Sequence, residues 1–168
     1  YRYLKILKEA GFVTSMPSGG FALGPRVVEL DFLMRKSDTL LRSLGESGGF
    51  LGLSAYPHHL KGGSTCTLQS WCDMAALAVD LVGPGNVGIG TDLCQDQPDS
   101  IVEWMRVGRW TKTIDYGEGS ADNPGFPPMP DWFHDNRDLA GIREGLRAAG
   151  LDQTTTDGVM GNNWHAFF

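Results

Sequence analysis

The sequence predicts an α/β fold, and three observations carry the prediction. The run "GGFLGLSAYP" (residues 48–57) is mostly apolar, of strand length, and bounded by Gly48–Gly49 and Pro57. The stretch "TLQSWCDMAALAVDLVGPG" then places Leu68, Trp71, Cys72, Ala75, Val79 and Val82 on one helical face. Thr67 stands at its N-cap position and Gly83–Pro84 supply a stop. After a short connection, Val87–Gly90 form a second strand of small and β-branched residues. Strand, helix and strand joined in this way make a βαβ unit, whose strands run parallel with a right-handed crossover.

The second strand ends on an acid, Asp92, directly after Thr91. In parallel α/β folds ligands gather at the carboxyl ends of strands, because the loops there vary without disturbing the sheet. Asp92 is therefore a candidate site residue, and a cap for the following loop is the competing role. Gly88 and Gly90 are expected to let neighbouring backbone or a ligand come close.

Residues 93–134 are long, irregular and rich in Pro, Gly and Trp, with one helical pattern at "SIVEWMRVGRW". The stretch "NRDLAGIREGLRAAG" reads as a helix with Leu139, Ile142, Leu146 and Ala149 inward and Gly150 at its end. In "TTTDGVMGNNWHAFF", Thr154 and Asp157 have capping-box spacing, and Met160, Trp164 and Phe167 follow on one face.

The first quarter of the chain has a different character. "YRYLKILKEAG" places Tyr3, Leu4, Leu7 and Ala10 at helical spacing; "FVTSMPSGGFALG" reads as a hairpin; "PRVVELDFLMRK" reads as a second helix. Helix, hairpin and helix with a basic excess is the layout of a winged helix-turn-helix. Residues 1–44 hold seven Lys/Arg against four acids, whereas the whole chain carries a net charge of −6. Tyr1 falls inside a helical pattern, so a fragment is expected.

Bulk properties exclude several classes. With 168 residues, 41% of them hydrophobic and 20% charged, the chain reads as globular. A domain of this size buries roughly 70% of its unfolded surface. No apolar run approaches a membrane span and no signal-peptide pattern is present, so no membrane partner is expected. Cys66, Cys72 and Cys94 form no CxxC and read as reduced thiols of a cytoplasmic protein. "GPGNVGIG" is neither a dinucleotide fingerprint nor a phosphate loop. Trp104, Trp110 and Trp132 suit either an aromatic lid or simple packing of the long loop.

Two resemblances sharpen these readings. Residues 1–43 resemble the DNA-binding region of IclR-type transcriptional regulators: "YRYLKILKEAGFV" matches the recognition helix, "TSMPSGGFALGPR" the wing and "VVELDFLMRK" the linker helix. The resemblance implies that Arg2 and Lys5 lie nearest DNA, although the helices that precede the recognition helix in that family are missing. Residues 44–168 resemble the C-terminal part of the renal, or membrane, dipeptidase family, zinc peptidases built on a (β/α)8 barrel. The carriers are "SGGFLGLSAYP", "GPGNVGIGTDL", "PPMPDWFHDNRDLAGIREGLRAAGL" and "MGNNWHAFF", in the family's order. The expected architecture is the C-terminal portion of such a barrel preceded by a truncated winged helix-turn-helix.

The dipeptidase resemblance implies a catalytic Asp92 at the end of the last strand and a substrate-contacting Tyr56 after the seventh. It also implies two zinc ions, whose bridging hydroxide attacks the peptide carbonyl of a dipeptide. The family's ligands are a His-x-Asp, a bridging Glu and two further histidines. No His-x-Asp occurs in this chain, and its histidines are His58, His59, His134 and His165. No metal ligand is therefore assigned, full zinc binding is not expected, and the reading is a dipeptidase-like fragment inactive as it stands. Ala166 stands where the family usually has Arg. The alternatives are a DNA-binding regulator of IclR type, with weak DNA binding through residues 1–43, or a non-functional fusion of the two. Two strands with open edges also lead to an expectation of self-association.

Overall fold

The computed structural model describes residues 38–39, 41–91, 93, 96–101 and 125–168. The winged-helix pattern through Lys36 and most of "SIVEWMRVGRW" lie outside these residues, although residues 99–101 are helical. Strands β1 (Leu51–Leu53) and β2 (Val87–Ile89) pair in parallel, in the register Leu51↔Val87, Gly52↔Gly88 and Leu53↔Ile89. Hydrogen bonds extend the pairing beyond both ends: Leu51 N–H donates to Asn86 O (2.8 Å), Gly90 N–H to Leu53 O (2.9 Å) and Ala55 N–H to Thr91 O (3.1 Å). The described fold is thus helical with a small two-stranded parallel sheet, the α/β arrangement expected from the sequence.

Helix α1 (Leu68–Val82) joins the two strands. Its first turn is capped by the Thr67 hydroxyl, which accepts from Ser70 N–H at 3.2 Å. It stops at Gly83, whose φ of 107° few other residues tolerate. The buried face holds Trp71, Cys72, Ala75, Ala78, Val79, Leu81 and Val82, wider than the stripe read from periodicity. The extra width follows from packing: α1 borders both the sheet and helix α2 (Leu139–Ala148). Ile142 and Leu146 of α2 are fully buried in the same core as Leu53, Val87, Phe133 and Val159. Each such side chain contributes about 1.5–3 kcal/mol by leaving water. Leu44, from the helical turn at residues 41–46, packs on this core as well.

Acidic residues start the helices of the C-terminal part. Asp135 accepts from Arg137 N–H at 2.8 Å, while Asp138 reaches back to His134 N–H (2.7 Å) and Asp135 N–H (3.1 Å), a reciprocal cap on the 3-10 turn Asn136–Asp138 that leads into α2. Helix α3 (Gln153–Asp157) is capped by Asp152, which accepts from Thr155 N–H at 2.7 Å. The expected Thr154–Asp157 box does not form. Asp152 satisfies the orphan donor two residues earlier, and Asp157 instead binds Gln153 and Arg143.

A kinked turn, Gly158–Asn162, leads into the short helix α4 (Asn163–Phe167), which closes the sheet. In a parallel pair alternate residues turn their peptide groups to the partner. Asn86, Gly88 and Gly90 face β1, so the carbonyls of Val87 and Ile89 point to the outer edge of β2. Asn163 Nδ2 donates to Val87 O (2.8 Å) and to Pro84 O (2.7 Å), and Trp164 Nε1 donates to Ile89 O (2.8 Å). The open edge expected at β2 is therefore covered by two side chains of its own chain.

The sheet glycines serve the same contact. A Cβ at Gly88 would lie 2.6 Å from Trp164 Nε1 and 2.9 Å from Phe50 Cζ; one at Gly52 would lie 3.3 Å from the same indole. The close approach anticipated at Gly88 is thus made by Trp164. The indole sits 4.1 Å from the Phe50 ring, centroid to centroid, and stacks on Phe168.

Two outcomes follow. Gly88→Ala should lose about 1–3 kcal/mol by overpacking against Trp164 and Phe50. Gly85→Ala, where a Cβ meets nothing within 4 Å, should stay within about 0.5 kcal/mol of the parent. Urea denaturation of both variants checks the contrast. Acid should act first on the helix starts. The side-chain hydrogen bond from Arg137 holds Asp135 at about 2, below its usual 3.8. Asp138 is lowered chiefly by the His134 N–H, and Asp152 chiefly by the Thr155 N–H. A depressed carboxylate stabilises the folded state above its unfolded pKa and loses that contribution as pH falls through the folded one. Amides of residues 134–138 should lose exchange protection between about pH 4 and pH 2, and those of residues 152–156 as the pH falls below about 4, before those of β1 and β2, as followed by hydrogen-exchange NMR.

Candidate functional site at the strand ends

The carboxyl end of β1 is built by a short, tied-down segment. Ser54 leaves the strand, Ala55 and Tyr56 are buried, and Pro57–His59 form a 3-10 turn with the proline at its start. The Trp71 indole N–H, from the buried face of α1, donates to Ser54 O at 2.9 Å. The Ser54 hydroxyl accepts from Tyr56 N–H at 3.0 Å and lies 2.9 Å from His59 Nδ1. The Tyr56 and His59 rings meet edge to face, 5.4 Å between centroids. Ser54, Tyr56 and His59 therefore form one hydrogen-bonded and ring-packed group whose outer member, His59, is exposed.

Of the candidate residues, Tyr56 lies just past β1, with its residue 4% exposed. Asp92 lies outside the described residues, as do Arg2, Lys5 and Cys94. The bond from Ala55 N–H to Thr91 O sets the segment preceding Asp92 beside the one that carries Tyr56. Sequence reasoning missed Ser54 and His59. Ser54 is two residues before Tyr56 and so shares its side of an extended backbone, a period-2 signal that was available. The hydrogen bond to His59 depends on the 3-10 turn and carried no such signal.

Beyond the turn, the segment after Gly62 and Gly63 meets the loop at residues 128–133. A cleft of about 240 Å³ is lined by Ser64, Thr65, Cys66, Thr67, Asp131 and Trp132. Trp132 Nε1 donates to Cys66 O at 2.7 Å, and its ring packs against Trp71 (5.6 Å) and Phe133 (5.9 Å). Trp132 thus takes the packing role of the two open to it, while Trp104 and Trp110 lie outside the described residues. Burial pushes the Cys66 thiol up, and burial followed by the neighbouring Asp73 charge pushes Cys72 up to about 11.

The residues present do not fit a dinuclear zinc centre. The sequence holds no His-x-Asp, and among the described residues no three His, Cys, Asp or Glu side chains converge. His59 is engaged by Ser54, and exposed His134 lies beside Asp138 at 3.9 Å. Exposed His165 is on α4, the helix that covers the sheet edge.

A parallel βαβ unit with a polar group at its strand ends belongs to the α/β class that includes hydrolase barrels. The crystal structure of an amidohydrolase from Pseudomonas aeruginosa matches this chain with 26% sequence identity and a TM-score of 0.62. The match covers 77% of this chain and 38% of that one, so the chain spans about two fifths of the amidohydrolase's length. The described part therefore has an amidohydrolase-like, hydrolase-type fold. No protein-family model matches the chain, and no curated protein does. Among the described residues no helix is long and apolar enough to cross a membrane.

The raised thiols give a chemical test. At pH 8 the thiolate is the reactive form, so Cys66 and Cys72 should resist iodoacetamide in the native protein and react fully in denaturant. Peptide mass mapping of the alkylated chain reads the outcome.

Proposed function

We propose that this chain carries the C-terminal portion of a dipeptidase-like metallohydrolase, with its substrate-facing groups at the strand ends. The match to the amidohydrolase crystal structure carries this reading, because it covers 77% of this chain at a TM-score of 0.62. The resemblance of residues 44–168 to the membrane dipeptidase family supports the finer assignment. In this reading Tyr56 contacts the dipeptide and Asp92 is a catalytic carboxylate that positions the substrate amino group. Two zinc ions would be held by residues that this sequence does not contain. No hydrolytic step is assigned to the chain alone, since among the described residues no side chains group into a metal site. The basic excess of residues 1–44 favours a second reading for that segment, weak salt-dependent contact with DNA phosphates through Arg2 and Lys5.

Purified alone, the chain should hold well under one zinc per molecule by elemental analysis and hydrolyse no dipeptide. Two bound zinc ions with turnover would overturn the reading of an incomplete site. A longer polypeptide that joins this sequence to an upstream segment bearing His-x-Asp and a bridging Glu should bind two zinc ions and cleave dipeptides. There Asp92→Asn should lower kcat by roughly 10²-fold or more. An active polypeptide indifferent to that substitution would remove Asp92 from the mechanism.

A further inference from the structure

Helix α4 stands where a neighbouring strand would pair, yet it mimics only half of one. Each outward-facing residue of a strand edge offers one acceptor and one donor. Asn163 Nδ2 and Trp164 Nε1 fill the acceptors, Val87 O and Ile89 O, at 2.8 Å each. Both of these groups are donors, so neither serves the N–H of Val87 or Ile89. Among the described residues no acceptor takes either N–H, although Val87 is fully buried. A buried donor left in this way costs free energy that a true strand would recover.

The helix is also lightly held. It has five residues, none of them buried, and hangs on the kinked turn Gly158–Asn162. Its last two rings are exposed, Phe167 at 51% and Phe168 at 95%. An element with so little burial opens at lower cost than the core strands. What its release uncovers is self-complementary. Val87 and Ile89 both face outward, one on either side of Gly88. Two copies of β2 set antiparallel about a two-fold axis at Gly88 would join Val87 of each copy to Ile89 of the other. Each such pair exchanges both of its N–H···O bonds, so every outward donor and acceptor is satisfied. The partner that fits this edge is a second copy of the same chain.

The geometry points to α4 as a displaceable clasp over a dimerisation edge. With α4 in place β2 is closed to partners, and with α4 released two copies pair β2 to β2 in one continuous sheet. The inference concerns the sheet edge and does not rest on the hydrolase reading. Trp164 holds the closed form through its N–H and through its contact with Phe50, 4.1 Å between centroids. Pairing has to outdo both contacts, so the dimer draws on a minor, open form of the chain and grows with concentration.

Sedimentation and amide hydrogen exchange of the full chain test it. Raising the concentration of the parent should increase its dimer fraction and, in step, the protection of Val87 and Ile89 N–H. Gly52 N–H, on the outer edge of β1, should not follow. Trp164→Ala, which removes the donor and the ring, should tighten dimerisation by roughly tenfold or more. Asn163→Ala, which leaves the rings in place, should act in the same direction and more weakly. The Trp71 indole N–H resonance reports whether each variant keeps the native core. Variants that keep it and stay monomeric, aggregates without a discrete dimer, or a dimer that protects Gly52 in place of Val87 and Ile89 would overturn the proposal. So would protection gained only on adding an unrelated extended peptide, which would make the edge a docking site for another chain. If neither variant keeps the core, the parent decides alone: no rise in protection at its highest soluble concentration sinks the clasp.

Discussion

The hydrogen bonds from Asn163 and Trp164 to the outer carbonyls of β2 are the constraint on which the described structure depends. A two-stranded parallel sheet is a poor structure in isolation, since each strand leaves a row of peptide groups without partners. Here α4 folds back so that an amide and an indole N–H replace a neighbouring strand at Val87 and Ile89. The replacement brings the indole close to the sheet, and Gly52 and Gly88 make the room. Phe50, just before β1, then closes on the indole, so a polar contact at the edge and an apolar one on the face are made by a single side chain.

Helix α1 carries the second dependence. Its apolar face is shared between the sheet and α2, which places Trp71 at the centre of the core, 1% exposed, while its N–H still reaches Ser54 O. Packing and site geometry are thereby coupled through one residue. The segment from Ser54 to Leu60 owes its order to that indole, to the serine hydroxyl, to the proline turn and, at Ala55, to the bond with Thr91 O.

The two ends of the described fold differ in electrostatic character. The helix starts at Asp135, Asp138 and Asp152 use carboxylates to satisfy orphan N–H groups, which concentrates negative charge where the helix dipoles favour it. The β1 end uses neutral and basic groups.

The sequence by itself determined the parallel unit, the limits of α1 and the inward face of α2. These follow from local physics: apolar periodicity, a threonine cap, Gly83 and Gly150 as stops. Tyr56 came only through the resemblance to the dipeptidase family, which has an aromatic after its seventh strand. It did not reveal the Asp152 cap, since Thr154 with Asp157 offers an equally good local pattern and only the partners of Asp157, Gln153 and Arg143, break the tie. The group of Ser54 and His59 stayed hidden for a similar reason: their meeting requires the turn at Pro57 and the anchor from Trp71, 17 residues away along the chain. The meaning of Gly88 was decided by tertiary structure alone. A glycine in a strand announces that something approaches, but its sequence cannot say what. Only folding α4 across the sheet, 75 residues beyond Ile89, made the visitor Trp164.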